Sequence, residues 1–199
     1  LLDGPAHLAL ARDGSLYIVD ELNTAIRRLR PEGLLETFYR GRADRRSGVS
    51  HPDPSRPEPG RIAIDGDGFL WMIGRLEPGV GRNHAVHRLD AHGRIDRTIG
   101  VMLEPGEVDG EAAVARFSAP YDLASDARGD LWLSEWGGHA AVRRMSPQGQ
   151  VVTVTRSPCA EALPCPALTT AWRGPLGAVQ LGLGGEQPFF AGDRSAIYR

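Results

Sequence analysis

The sequence predicts an all-β chain built of propeller blades, on three observations: one strand-turn-strand unit occurs four times, a glycine turn holds the same place in each copy, and no helical periodicity separates the copies. The most regular strand of each copy reads Leu16-Tyr17-Ile18-Val19, Leu70-Trp71-Met72-Ile73, Leu131-Trp132-Leu133-Ser134 and Pro188-Phe189-Phe190-Ala191. Its aromatic residue recurs at separations of 54, 61 and 57 residues. A β-sandwich is the competing all-β arrangement. It has no need of the same proline, turn and aromatic order four times over.

Each regular strand is the second arm of a hairpin. Asp13-Gly14, Asp67-Gly68, Arg128-Gly129 and Gly184-Gly185 precede the four strands, and such dipeptides supply the positive-φ corner of a tight turn. A proline opens the first arm: Pro5 before His7-Leu8-Ala9, Pro59 before Ile62-Ala63-Ile64, Pro120 before Leu123-Ala124 and Pro175 before Ala178-Val179. Proline at the start of a strand loses no ladder bond. A third arm follows as Ile26–Leu29, Val86–Leu89, Val142–Met145 and Ile197–Arg199. In three copies a second glycine turn, at Gly33, Gly93 and Gly149, leads into a fourth arm.

Four antiparallel arms to a copy give blades at approximately 1–40, 59–100, 117–156 and 174–199 of a single propeller segment. The fourth copy stops before its last arm and the first begins almost on its first arm. The expectation is therefore a fragment of a larger propeller of about six blades, whose remaining blades are its immediate partners. Between the first two blades, 41–59 is rich in Arg, Ser and Pro and reads as an extended inter-blade loop.

Composition removes several function classes. The chain has 199 residues, a net charge of -2 and 41% hydrophobic residues, as a globular chain with a core requires. All its basic residues are arginines, dispersed among acidic ones, so no nucleic-acid-binding stripe is expected and Schiff-base lysine chemistry is excluded. The apolar runs are far shorter than the roughly 20 residues that cross a bilayer as a helix. Cys159 and Cys165 share a Pro-rich loop, where a short-loop disulfide is the first reading and two separate thiols the second. A disulfide favours an extracytoplasmic location: periplasmic, secreted or cell-surface.

The order Asp109-Gly110, Ala115-Arg116-Phe117-Ser118-Ala119-Pro120, Gly129-Asp130-Leu131-Trp132 and Val142 to Gly149 resembles the bacterial form of the NHL repeat. The first copy is similar through Asp13–Asp20, Asn23, Ile26-Arg27-Arg28 and Pro31-Glu32-Gly33. The likeness extends over essentially the whole chain, with the fourth copy degenerate. It also takes in the wider propeller group of gluconolactonase-like (SMP-30-like) proteins and streptogramin lyases, whose repeat Leu131-Trp132-Leu133-Ser134-Glu135 is similar to. This resemblance implies a propeller fold. It implies two functional classes, binding or sensor modules and metal-dependent enzymes. The second copy departs from the pattern, with Gly74 where the first and third have Asp20 and Glu135.

In a propeller, the approach to each inner strand and the loop joining the second and third strands share one face. That geometry selects His7, Arg61, Tyr121 and Asp122 from the former, and Asp20, Glu21, Asn23, Arg75, Glu135, Trp136, His139 and Asp193 from the latter. The expected ligand-binding set is His7, Glu21, Arg61, Tyr121, Asp122, Glu135, Trp136 and His139. Asp20 and Asn23 read as turn-stabilising. Asp122 and Glu135 are the candidate ligands for a divalent cation, Ca²⁺ or Mg²⁺, although no cofactor is required by the first reading. His84 and His87 fall on opposite strand faces by alternation, and the pairs Arg27-Arg28 and Arg143-Arg144 read as solvated strand positions. No Gly-x-Ser-x-Gly turn, helical His pair or phosphate-cradling loop is present. Two functions follow: a non-catalytic scaffold or sensor binding a protein, glycan or small molecule on its loop face, or a metal-dependent lactonase or lyase.

Overall fold

A computed structural model describes residues 1–41, 55–75, 83–136, 139–160, 178–181, 188–191 and 197–198. Among them are fifteen strands and no helix. The first sheet is β1 (Pro5–Leu10), β2 (Leu16–Asp20), β3 (Ala25–Leu29) and β4 (Leu35–Arg40). The second is β5 (Glu58–Ile64), β6 (Leu70–Arg75), β7 (Ala85–Leu89) and β8 (Ile95–Gly100). The third is β9 (Pro120–Ser125), β10 (Leu131–Glu135), β11 (His139–Met145) and β12 (Val151–Ala160). A fourth sheet has three strands, β13 (Ala178–Leu181), β14 (Pro188–Ala191) and β15 (Ile197–Tyr198). Every sheet is an antiparallel meander in chain order, and the inner strands β1, β5, β9 and β13 neighbour one another in that sequence around an axis. The chain is a β-propeller segment. The expected Cys159–Cys165 bridge lies outside the described residues.

The blades stack because each sheet has two apolar faces. β6 shows the rule most clearly: Leu70 and Met72 pack against Val19, Ile26 and Tyr39 of the first blade, while Trp71 and Ile73 pack against Phe117, Leu123, Leu133 and Met145 of the third. A strand buried on both faces reads as an unbroken apolar run, which is why Leu70-Trp71-Met72-Ile73 shows no alternation.

The hairpin between inner and second strand is fixed by an aspartate. Asp65 accepts the amides of Asp67 and Phe69 on Oδ1 and the Trp71 indole on Oδ2 at 2.7 Å. Asp126 repeats this with Arg128, Asp130 and the Trp132 indole at 2.8 Å. The first blade changes both partners together, with Ala11 and Tyr17 at those places, and Asp13 caps Ser15 instead. Where the second and third hairpins meet, Gly66 N donates to Gly129 O, and a Cβ on Gly66 would sit 2.6 Å from Gly129 Cα. Two glycines allow the backbones to touch.

Trp71→Phe leaves Asp65 Oδ2 buried without its donor. Urea unfolding followed by circular dichroism is expected to give a loss of about 1–3 kcal/mol. Added to Asp65→Ala, the same change should lose markedly less, since the bond is already gone.

Candidate functional site

The inner strands of the first three blades, β1, β5 and β9, begin with the same irregularity. Pro5, Pro59 and Pro120 pair with Asp20, Gly74 and Glu135, and His7, Arg61 and Asp122 pair with Val19, Ile73 and Ser134, so Ala6, Gly60 and Tyr121 are extra residues in three equivalent bulges. A bulge redirects the side chains beside it. Here it brings the next residue of each blade to one level at the axis: His7 Nε2 is 3.8 Å and Arg61 Nε 3.9 Å from the same oxygen, Asp122 Oδ1. Ile62 N donates to His7 Nδ1 at 3.4 Å. Burial lowers the His7 pKa, Asp122 pulls it up and Arg61 pushes it down.

Beside this trio the bulge residue of the third blade carries an aromatic ring. Tyr121 meets Trp136 edge to face, centroids 5.9 Å apart, and the Arg61 guanidinium lies 5.9 Å from the Tyr121 centroid. Both rings are open to solvent, Tyr121 at 38% and Trp136 at 41%. A cavity of about 370 Å³ adjoins them, lined by Glu21 of the first blade, Gly60, Arg61, Ile73 and Gly74 of the second, and Pro120 and Tyr121 of the third. A second cavity, of about 470 Å³, follows the axis between β1, β5 and β9.

The structure thus assembles His7, Arg61 and Asp122 at the axis and Glu21, Arg61 and Tyr121 around one cavity, with Trp136 against Tyr121. It separates Glu135 from them. Cross-strand partners share a face, so Asp122 goes with Ser134 and Glu135 projects to the other side. There Glu135 is fully buried, accepting Ser118 N on Oε1 at 2.8 Å and Arg143 Nη1 on Oε2 at 3.0 Å. The expected cation pair of Asp122 and Glu135 is not brought together. Burial raises the Glu135 carboxyl to about 7, against the opposite pull of Arg143 and the Ser118 amide. The side chains of Arg75 and His139, and all of Asp193, lie outside the described residues.

Arg143 corrects the expectation of a solvated strand position. It has no exposure, and it donates to Glu135, to Asp109 Oδ1 at 2.8 Å, to Val108 O and to Arg116 O. The solvated role falls to its neighbour Arg144, which is exposed and pairs with Asp130. Asp109 also accepts Thr153 N and Oγ1, so the Asp109–Phe117 segment that carries the repeat resemblance is tied to β11 and β12 through one guanidinium and one carboxylate.

The same logic explains the departure at Gly74. Asp20 accepts Asp3 N at 2.7 Å as Glu135 accepts Ser118 N, and both donors stand two residues before the inner-strand proline. In the second blade that place is Pro57, which has no N–H. An acid at 74 would find no backbone N–H at 57 to accept, and a Cβ there would meet Pro57 Cβ at 2.8 Å. The basic partner changes too, since the position of Arg27 and Arg143 is occupied by His87, whose pKa burial lowers to about 4. His87 Nδ1 meets Thr98 Oγ1, so His87 stays a neutral member of the first inter-blade core.

One residue behind the site escapes sequence reasoning. Ala119 has φ of 52°, a conformation natural to glycine, and Gly4 holds the equivalent place in the first blade at 65°. The strained turn is held at both ends: His84 Nδ1 accepts Ala119 N at 2.9 Å, and Trp136 N donates to Ala119 O at 3.0 Å. The signal was available in the alignment of Gly4-Pro5 with Ala119-Pro120, but the role of His84 was not, because it crosses from the second blade to the third.

Fold and site together define a repeat-built propeller segment with a polar pocket on its loop face. No family model matches the sequence, and no curated protein does. Solved structures do. A streptogramin B lyase is 17% identical with a TM-score of 0.57, over 94% of this chain and 48% of that one. A putative gluconolactonase is 20% identical with a TM-score of 0.55, over 96% and 56%. An auxiliary nutrient binding protein from Bacteroides ovatus is 15% identical with a TM-score of 0.58, over 95% and 46%. The chain spans about half the length of these structures. The likeness is one of fold, the β-propeller.

Two measurements check this geometry. Ala119→Gly is expected to raise stability by about 0.5–1 kcal/mol in chemical unfolding, by relieving the positive φ. For His87, the folded pKa near 4 lies below the unfolded 6.5, so its contribution is complete above pH 6.5 and lost as pH falls from 6.5 to 4. Glu135 runs the other way, its contribution present below pH 4.5 and lost as pH rises through 7. Comparison of wild type with His87→Asn isolates the histidine: the wild-type advantage should shrink by up to roughly 3 kcal/mol between pH 6.5 and 4.

Proposed function

We propose that this chain is a non-catalytic ligand-binding segment of a propeller, taking its ligand on the loop face in the cavity between Glu21, Arg61 and Tyr121. The observation that carries the reading is the cavity itself. Its volume of about 370 Å³ falls in the range of small-molecule clefts, and its lining comes from three different blades. Its walls also differ from copy to copy. Glu21 and Trp136 occupy equivalent positions, as do Ala6, Gly60 and Tyr121, whereas the turn glycines repeat. The turn glycines, which the hairpins require, keep their chemistry. Positions freed from that demand are where a ligand site is built.

The named function of the Bacteroides ovatus structure, nutrient binding, agrees with a scaffold role, and the Cys159 and Cys165 loop agrees with an extracytoplasmic location. Among the described residues, no helix is long and apolar enough to cross a membrane. The approach of His7 to Asp122 at 3.8 Å favours a second reading, a metal-dependent lactonase or lyase with Asp122 contributing to a divalent-cation site. Lyase and gluconolactonase are the names carried by two of the structural neighbours.

Two experiments separate these readings. A fragment library screened by saturation-transfer NMR should give binders to the wild-type chain that disappear in Gly60→Phe, which places a ring in the cavity lining; a hit list indifferent to that change would sink the pocket. Calorimetry with Ca²⁺ and with Mg²⁺ should give no binding that Asp122→Ala removes. Metal binding lost in that variant would transfer the assignment to the second reading.

A further inference from the structure

A second site lies apart from the loop-face cavity and does not depend on it. We infer that Arg27 and Thr37, on the side of the first blade turned away from the second, form a carboxylate-binding site that receives an Asp-Gly segment of a partner polypeptide.

Strand register is the first ground. Val19 and Ile26 pack toward the second blade, so Ile18 and Arg27 beside them face the other way. Leu8, Ile18, Arg27 and Thr37 pair one to the next across β1 to β4, and cross-strand partners share a face. The same row in the third blade is Leu123, Leu133, Arg143 and Thr153. The outermost pairing agrees even in its bulge, with Phe38 and Val154 as the extra residues.

The third blade shows what such a row binds. Asp109 Oδ1 accepts Arg143 Nη2 at 2.8 Å and Thr153 Oγ1 at 2.9 Å, its Oδ2 accepts Thr153 N at 3.0 Å, and Val108 O accepts Arg143 Nη2 at 3.0 Å. One arginine and one threonine thus hold the carboxylate of Asp109-Gly110 together with the carbonyl before it. In the first blade the Arg27 guanidinium makes a single hydrogen bond among the described residues, Nη1 to Thr37 Oγ1 at 2.8 Å, and keeps the remaining donors of its fork. The inner acid does not use up the cation. Asp20 stands 3.9 Å from Arg27 Nε, and Arg143 holds Asp109 while also bonded to the buried Glu135.

The apolar end of the row decides the class of partner. Leu8 is 57% exposed, whereas Ile62 and Leu123 at the same place in the second and third blades are 1% and 2% exposed. A small carboxylate would engage Arg27 and leave Leu8 in water. A polypeptide segment can cover both, as the segment from Asp109 to Phe117 does by placing Phe117 in one cluster with Leu123 and Leu133.

The test titrates a fluorescein-labelled peptide of residues 105–113, which carries Val108, Asp109 and Gly110, with the 199-residue chain and follows anisotropy. Saturable binding is expected. Asp109→Asn in the peptide should weaken it about ten-fold, and so should Arg27→Gln in the protein, since each removes a charge-assisted bond; Thr37→Val should weaken it about three-fold. Sodium acetate, a carboxylate without a segment, should compete only at far higher concentration than unlabelled peptide. Far-ultraviolet circular dichroism checks the variants, and if Arg27→Gln does not fold, the Asn peptide on the wild-type chain decides. No saturable binding, an Asn peptide that binds as well as the Asp peptide, or acetate that competes as well as the peptide would overturn the inference. So would a dimer in sedimentation equilibrium that Leu8→Glu dissociates, since a second copy would then cover this face.

Discussion

The third blade and the pocket depend on one demand: a backbone N–H just ahead of each inner strand needs a buried acceptor. The chain reaches the axis there, turns at a proline and enters a sheet, and no ladder partner exists for that amide. In the first and third blades a carboxylate at the end of the second strand accepts it, as Asp20 does for Asp3 and Glu135 for Ser118. The carboxylate needs its own neutraliser, and Arg143 supplies one while gathering the Asp109 loop. The second blade meets the same demand by removing it, with Pro57 where the donor would be, Gly74 for the acid and His87 for the base.

That arrangement divides labour between the two sides of a strand. Glu135 faces inward and holds the blade, and Asp122, one bulge away on the neighbouring strand, faces the axis. A sequence motif such as Glu135-Trp136 therefore contains a structural residue followed directly by a surface one. The strain at Ala119 sits between them. Its amide is held from the second blade by His84 and its carbonyl by Trp136, so a contact between blades fixes the turn that leads into Tyr121 at the pocket. Positive φ on a non-glycine residue is tolerated only where its surroundings fix it at both ends.

Face-to-face packing gives the site its rigidity. The second blade lies between two apolar clusters and lends Gly60, Arg61, Ile73 and Gly74 to the pocket. Glu21 of the first blade and Pro120 and Tyr121 of the third complete the lining. The cavity is therefore a property of three blades in register, and no single repeat contains it.

The sequence by itself determined the architecture, because turns, strand polarity and aromatic placement are local and were repeated often enough to be compared within one chain. Proline, glycine turn and aromatic strand located the hairpins, and loop-face logic selected His7, Glu21, Arg61, Tyr121, Asp122, Glu135, Trp136 and His139. What it could not supply was direction across blades. Glu135 and Asp122 looked alike as carboxylates near the axis, and Arg143 looked like the exposed Arg144; a single residue of bulge or pleat sent one of each pair to the interior. His84 gave no sign of supporting Ala119, since they are separated by a whole blade junction. Only the tertiary structure decided these roles, because burial and hydrogen-bond partners belong to the packing of neighbouring sheets, and a repeat read alone carries just one side of each contact.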